Sequence, residues 1–207
     1  MDDALKEGRE GMALLRIRPT AVDRYVAQRV AAEARPIPEH IEKTLTWGAD
    51  EHLLLGCAAA AWITAAAFRS PLRPAAGHLL IVAAATAAAP HVLKTTFDQV
   101  RPDRMTVKGH LHGIPLSGDS MDAFPSGHAV HMGGLASAAT VLPPRYRIPI
   151  WGVALGLSGT RIAILAHWVS DVAAGFALGI VLERIVRRFT GYPDRALREV
   201  IAYGRVT

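Results

Sequence analysis

Five apolar blocks follow one another along the chain, at roughly 53–68, 78–96, 128–142, 148–165 and 168–182. Several lack any polar face, which is unusual for the helices of a soluble bundle and normal for helices bathed in lipid. Each is a little shorter than the roughly 20 residues that cross a hydrocarbon core. Polar flanks, local thinning and snorkelling arginines make up the difference. The expected fold is therefore all-α, a transmembrane helical bundle of about five spans. An Ala-rich soluble bundle is the alternative, and the blocks without a polar face count against it.

Residues 1–48 are polar, with scattered apolar positions. Val22, Val26 and Val30 recur at every fourth position while Arg24 and Arg29 fall on other faces. That spacing fits an amphipathic helix on the membrane surface and equally an ordinary surface helix. Pro36 and Pro38 close it. Residues 1–20 carry charges throughout and hold no long apolar stretch, so no secretory signal is expected. The organisation read from the pattern is an N-terminal interfacial segment (1–48), a transmembrane domain (49–189) and a charged cytoplasmic tail (190–207).

Composition agrees with the pattern. Of 207 residues, 51% are hydrophobic and 20% charged, and the mean hydropathy is +0.22. The net charge of +5 on a soluble protein would suggest a nucleic-acid partner. Here the basic residues flank apolar blocks, so they read as topology signals and headgroup contacts, with no nucleic acid implied. With five alternating spans, Arg69, Arg73, Arg145, Arg147, Arg184, Arg187 and Arg188 fall on one side, which the positive-inside rule makes cytoplasmic. Cys57, the single cysteine, sits in an apolar block and reads as a small core residue. Gly152 and Gly156, like Gly175 and Gly179, have the small-xxx-small spacing that lets helices pack closely within a bundle or in a dimer.

The same alternation brings three polar clusters to the other, outward side. Lys94 and Arg101 are seven positions apart, two helical turns, so a continuing helix would put them on one face, with Pro102 helping to end it. Two such cations suit an anion site, or simply lipid headgroups. Pro125-Ser126-Gly127-His128 reads as a turn entering a helix, whose free N–H groups favour phosphate. Gly127 lets an oxyanion approach the backbone, and Ser126 either donates or caps. His167 and Asp171 are four apart, hence neighbours if helical. A carboxylate on one imidazole nitrogen leaves the other free to attack. Arg161 offers a planar fork to phosphate oxygens. The plain readings of the last two clusters are a Ser N-cap beside an incidental His, and an interfacial His–Asp hydrogen bond.

Together these clusters resemble the type 2 phosphatidic acid phosphatase superfamily, whose signature is K-x6-RP, then PSGH, then SR-x5-H-x3-D. This sequence reads KTTFDQVRP at 94–102, PSGH at 125–128 and TRIAILAHWVSD at 160–171. Spacing agrees in every motif, and the one departure is Thr160 in place of Ser. The resemblance implies a metal-independent, cofactor-free phosphatase with a phosphohistidine intermediate. By position it makes His167 the nucleophile, Asp171 its orienting partner, and His128 the general acid and later base. Lys94, Arg101, Ser126, Gly127 and Arg161 would hold the phosphoryl oxygens. A zinc site at His110 and His112 lacks clear ligand partners.

A lipid phosphate or diphosphate is the expected substrate: undecaprenyl diphosphate, phosphatidic acid, phosphatidylglycerol phosphate or a lipid A phosphate. The outward-facing site favours the isoprenoid carrier slightly. The expected location is a bacterial inner membrane, with the site on the extracytoplasmic side. Two other functions compete. Vanadium haloperoxidases share the phosphate site, but they are soluble and larger. A non-catalytic lipid-binding protein would be expected to lose a key residue, and none is lost.

Overall fold

The computed structural model describes residues 14–33, 51–105 and 120–203. Pro36, Pro38, His110 and His112 lie outside them. Each apolar block folds as a helix. Numbered in chain order, the elements are β1 (Leu15–Arg16), α1 (Ala21–Glu33), α2 (Glu51–Ala67), α3 (Arg73–Lys94), β2 (Phe97–Asp98), α4 (Pro102–Met105), α5 (Gly127–Ala138), α6 (Pro144–Ala163), α7 (Val169–Thr190) and α8 (Arg195–Tyr203). A 3-10 turn, Ala139–Val141, extends α5.

The central element is α5. It packs most extensively on α7, then on α6 and α3, while α2 lies outside against α3. Its sequence explains the position: small residues and glycines on all sides, nearly all of them buried. A Cβ on Gly175 would stand 2.6 Å from the Ser126 carbonyl oxygen. One on Gly179 would collide with the Val130 carbonyl, and one on Gly133 with the Phe176 carbonyl. These glycines let the α5 and α7 backbones touch, as their spacing predicts. Gly152 and Gly156 do not act this way, because nothing lies within 4 Å of either Cβ position.

Polarity is distributed inside out. Buried side chains include His78, Thr86, His131, Ser137, Ser158 and Glu183, whereas Ile63, Phe68, Ile81, Val153, Leu155, Val181 and Ile185 face outward. Helix α2 buries no residue at all, so Cys57 is exposed rather than part of a core. Its position at the periphery, against α3, accounts for this. By length and composition α3 is the one described helix long and apolar enough to cross a membrane, and α2 is a shorter apolar helix. Helices α6 and α7 are long enough, but α6 carries arginines near its ends and α7 carries both arginines and acids.

At the end of the bundle away from the signature motifs, one buried network ties α3, α5 and α7 together. The Glu183 carboxylate meets His78 Nε2 at 3.1 Å and accepts from Ser137 Oγ and Arg187 Nε at 2.5 and 2.7 Å. Tyr192 stacks on His78 with ring centroids 4.0 Å apart. Gly191, at φ 68°, ends α7 in the left-handed conformation. The following helix α8 returns Leu197 onto the cluster of Ala75, Ala138 and Tyr192. The C-terminal stretch is thus a folded helical return and more than a charged tail.

One local expectation fails. Helix α3 stops at Lys94, so Lys94 and Arg101 do not share a helix face. Thr95, still in the helical region, and Thr96 form a turn, the chain becomes extended at Phe97, and Pro102 opens α4 instead of closing α3. In α1, Val22 is 62% exposed while Asp23 and Ala27 are buried. The packed face centres on Asp23 and Ala27, with Val30 and Ala31 partly buried against the same cluster as Ala27.

Candidate active site

Three chain segments meet at one end of the bundle. The first leaves α3 at Lys94 and runs extended. Its strand β2 pairs in parallel with β1, Leu15 opposite Phe97 and Arg16 opposite Asp98. Beyond it the backbone is laced to the approach of the second motif: Gln99 N to Met121 O at 2.9 Å, Ala123 N to Gln99 O at 3.1 Å and Arg101 N to Ser120 O at 3.0 Å. Lys94 Nζ lies 3.6 Å from Asp122 Oδ2. This lacing, and not a shared helix, sets Arg101. Its buried guanidinium donates from Nη1 to the Ala166 carbonyl at 3.0 Å, and the same nitrogen is 3.5 Å from His167 Nε2.

The second segment is the turn into α5. Ser126 is the N-cap by backbone position but makes no side-chain capping bond. Its Oγ is buried and has no hydrogen-bond partner among the described residues. A buried hydroxyl left this way costs about 1–3 kcal/mol unless a ligand or water completes it. Gly127 and the half-buried His128 form the first turn. Free N–H groups and the positive end of the helix dipole there suit an anion.

The third segment joins α6 to α7. Arg161 sits in the last turn of α6, and its carbonyl accepts from both Ala166 N and His167 N, at 3.0 and 3.1 Å. Leu165 takes a left-handed conformation, φ 55°, which costs a non-glycine residue about 1–2 kcal/mol. Its side chain is fully buried with Ala27, Ala123 and Trp168. Burial of a leucine contributes about 1.5–3 kcal/mol, so packing holds the strained turn. Trp168 Nε1 donates to the Val100 carbonyl at 2.8 Å, tying this turn to the first segment.

The imidazole of His167 is oriented differently from the expectation. Its Nδ1 is 2.6 Å from the Ala123 carbonyl oxygen and 3.9 Å from Asp171 Oδ2. A carbonyl can only accept, so Nδ1 carries the proton and Nε2 holds the lone pair. Asp171 instead accepts from Trp168 N at 2.9 Å, closing the first turn of α7. The cause is that α7 begins after His167, so the two residues are not a helical pair. Burial, then the positive charges of Arg101 and Arg161, hold the His167 imidazole well below its usual range; Lys94 adds to this, while the Ala123 bond opposes it. All three cations therefore lie near enough to act on this ring.

The structure thus gathers Lys94, Arg101, Ser126, Gly127, Arg161, His167 and Asp171 at one end, with His128 in the turn that supplies the Ala123 contact. Two participants escaped sequence reading. Ala123 acts through its carbonyl, for which no side-chain signal exists. Asp23 contacts Ser170 from the N-terminal helix, and its only trace is a Thr20-x-x-Asp23 capping pattern. No group of three or more His, Cys, Asp or Glu side chains is placed to hold a metal among the described residues.

Comparison with known proteins bears on family and fold. Lipid A 1-phosphatases of Rhizobium johnstonii and Rhizobium etli are 39% and 38% identical over 90 residues, 43% of this chain. The match spans only 37% and 39% of those two proteins. The crystal structure of a transmembrane PAP2-type phosphatidylglycerolphosphate phosphatase from Bacillus subtilis shares the fold, with a TM-score of 0.60 at 21% identity, over 84% of this chain and 86% of that one. The family model of the PAP2 superfamily matches residues 75–195, which takes in every segment of the site, and the chain belongs to that superfamily.

Proposed function

We propose that the protein is an integral membrane hydrolase of lipid phosphates, acting through a phosphohistidine on His167. The observation that carries this reading is the Nδ1 bond to the Ala123 carbonyl, which leaves the lone pair on Nε2, 3.5 Å from Arg101 Nη1. In the first step Nε2 attacks phosphorus and the bond to the lipid oxygen breaks. His128 gives its proton to that oxygen. In the second step His128 takes a proton from water, the oxygen attacks the phosphohistidine, the N–P bond breaks and inorganic phosphate leaves. Lys94, Arg101, Arg161, Ser126 Oγ and the Gly127 N–H hold the phosphoryl oxygens, where fixed donors stabilise transition-state charge most. Asp171 serves by fixing the turn and the helix start beside the nucleophile.

The outward apolar faces support immersion of the bundle in lipid, with the polar interior shielded. Arg69, Arg73, Arg145, Arg147, Arg184, Arg187 and Arg188 cluster at helix ends away from the motifs. That asymmetry supports a cytoplasmic opposite end and an extracytoplasmic site. The names of the two rhizobial relatives support a lipid A 1-phosphate as the first substrate to test, ahead of the isoprenoid diphosphate that an outward-facing site alone favours.

The test is phosphate release in detergent with EDTA present. The panel comprises lipid A 1-phosphate, undecaprenyl diphosphate, phosphatidic acid, phosphatidylglycerol phosphate and a soluble phosphomonoester. Release should persist in EDTA and fall at least about a thousandfold in His167→Ala. Release that survives the substitution would sink the mechanism. No release from any substrate would favour a binding protein.

A further inference from the structure

We propose that Asp23, on the N-terminal helix, is a positioning residue that holds the turn carrying His167; the inference rests on the function proposed above. Asp23 is 1% exposed and accepts four hydrogen bonds. Two are local: Thr20 N and Thr20 Oγ1 each reach Oδ2 at 2.8 Å, while Asp23 N donates to Thr20 Oγ1 at 3.1 Å. Two cross the molecule: Ser170 N reaches Oδ1 and Ser170 Oγ reaches Oδ2, both at 2.8 Å. Capping of α1 occupies Oδ2 alone. Oδ1 is given entirely to the first turn of α7, so a cap for its own helix does not explain the arrangement.

Ser170 stands three residues after His167 and one before Asp171. Asp171 takes the Trp168 N–H and Asp23 takes the Ser170 N–H. Two carboxylates thus divide the open N–H groups of this helix start, where negative charge is favourable. Burial by itself would raise the Asp23 carboxyl, but the donors of Ser170 and Thr20 hold it below its usual value, so it stays charged.

The neighbourhood of Asp23 points the same way. One turn on, Ala27 packs with Ala123, Leu165 and Trp168. Ahead of it, β1 bonds to the segment between Lys94 and Arg101, Leu15 N to Thr96 O at 3.1 Å and Ile17 N to Asp98 O at 2.9 Å. One N-terminal stretch therefore bonds to the backbone of the first and third phosphate-binding segments and packs on Ala123 of the second. Its link to His167 runs through Ala123, which packs with Ala27 and accepts from Nδ1, the ring nitrogen that does not attack.

The experiment compares wild type, Asp23→Leu and Asp23→Asn in the full chain in detergent. Leucine keeps the branching at Cγ, with bulkier tips, and loses every acceptor, while asparagine matches the size of aspartate. Asparagine keeps one acceptor for Ser170 N. Two readouts are taken: kcat and KM on lipid A 1-phosphate and phosphatidic acid micelles, and amide hydrogen exchange over residues 164–172. The expected result for Asp23→Leu is faster exchange in that stretch and kcat lower by about ten- to a hundredfold, with KM within about twofold. Asp23→Asn should recover most of both. Unchanged exchange over 164–172 in the leucine variant overturns the proposal, whether or not the wild type hydrolyses lipid. So does faster exchange with unaltered kcat, which marks a merely structural contact. A wild type that hydrolyses no member of the panel given above, with the exchange response intact, refutes the function while upholding the hold of Asp23 on the turn.

Discussion

At His167 the structure answers where the proton sits. The Ala123 carbonyl fixes it on Nδ1, while burial and then Arg101 and Arg161 oppose a second proton. The sign follows directly. An imidazole whose folded value is depressed stays neutral, and so nucleophilic, as pH falls through the ordinary histidine value of about 6.5. The acid limb of kcat/KM, which reports the free enzyme, should therefore lie below that value. In Arg101→Gln, one of the charges opposing protonation is gone, and the limb of the residual activity should move upward. A limb that stays in place on removing Arg101 would contradict this electrostatic account. His167 was singled out as the proposed nucleophile by the likeness of its motif to the family signature. Its tautomer was not legible in the sequence, because a backbone carbonyl from another segment sets it.

At the scale of elements, helix ends decide the site. The three motifs occupy the end of α3, the start of α5 and the junction of α6 with α7. The apolar blocks located all five main helices, since blocks without a polar face leave little room for another reading. They did not locate their termini. The stop at Lys94 depends on Thr95-Thr96 and on pairing with Leu15–Arg16, which lies far away in sequence. The start of α7 after His167 depends on Asp171 capping Trp168 N. Glycine spacing was equally informative at α7 and α6, yet only α7 uses it. Two substitutions separate these cases. In Gly175→Ala the new methyl meets the Ser126 carbonyl, so stability should fall by about 1–3 kcal/mol and activity should fall with it. In Gly152→Ala the methyl enters open space, and stability should stay within about 0.5 kcal/mol or rise. Equal effects of the two, measured by thermal unfolding in detergent, would refute the packing account.

At the scale of the molecule, a polar interior and an apolar exterior form a bundle clamped at both ends. The far end is held by Glu183 with His78, Ser137 and Arg187. The site end is held by backbone lacing and by the N-terminal helix. The membrane character was legible from composition and block pattern. The contribution of residues 14–33 was not, because the packed face of α1 shows only Asp23, Ala27 and partly buried neighbours, a weak pattern beside the valine stripe. The central claim is a covalent bond between His167 and phosphorus, and rapid quenching tests it most directly. Turnover of lipid substrate labelled in its phosphate would be stopped in alkali, which preserves phosphorus–nitrogen bonds on imidazole, and the label mapped by peptide. The account predicts label on the peptide containing His167, absent in His167→Ala. Full turnover with no label there, or with label on another residue, would contradict it.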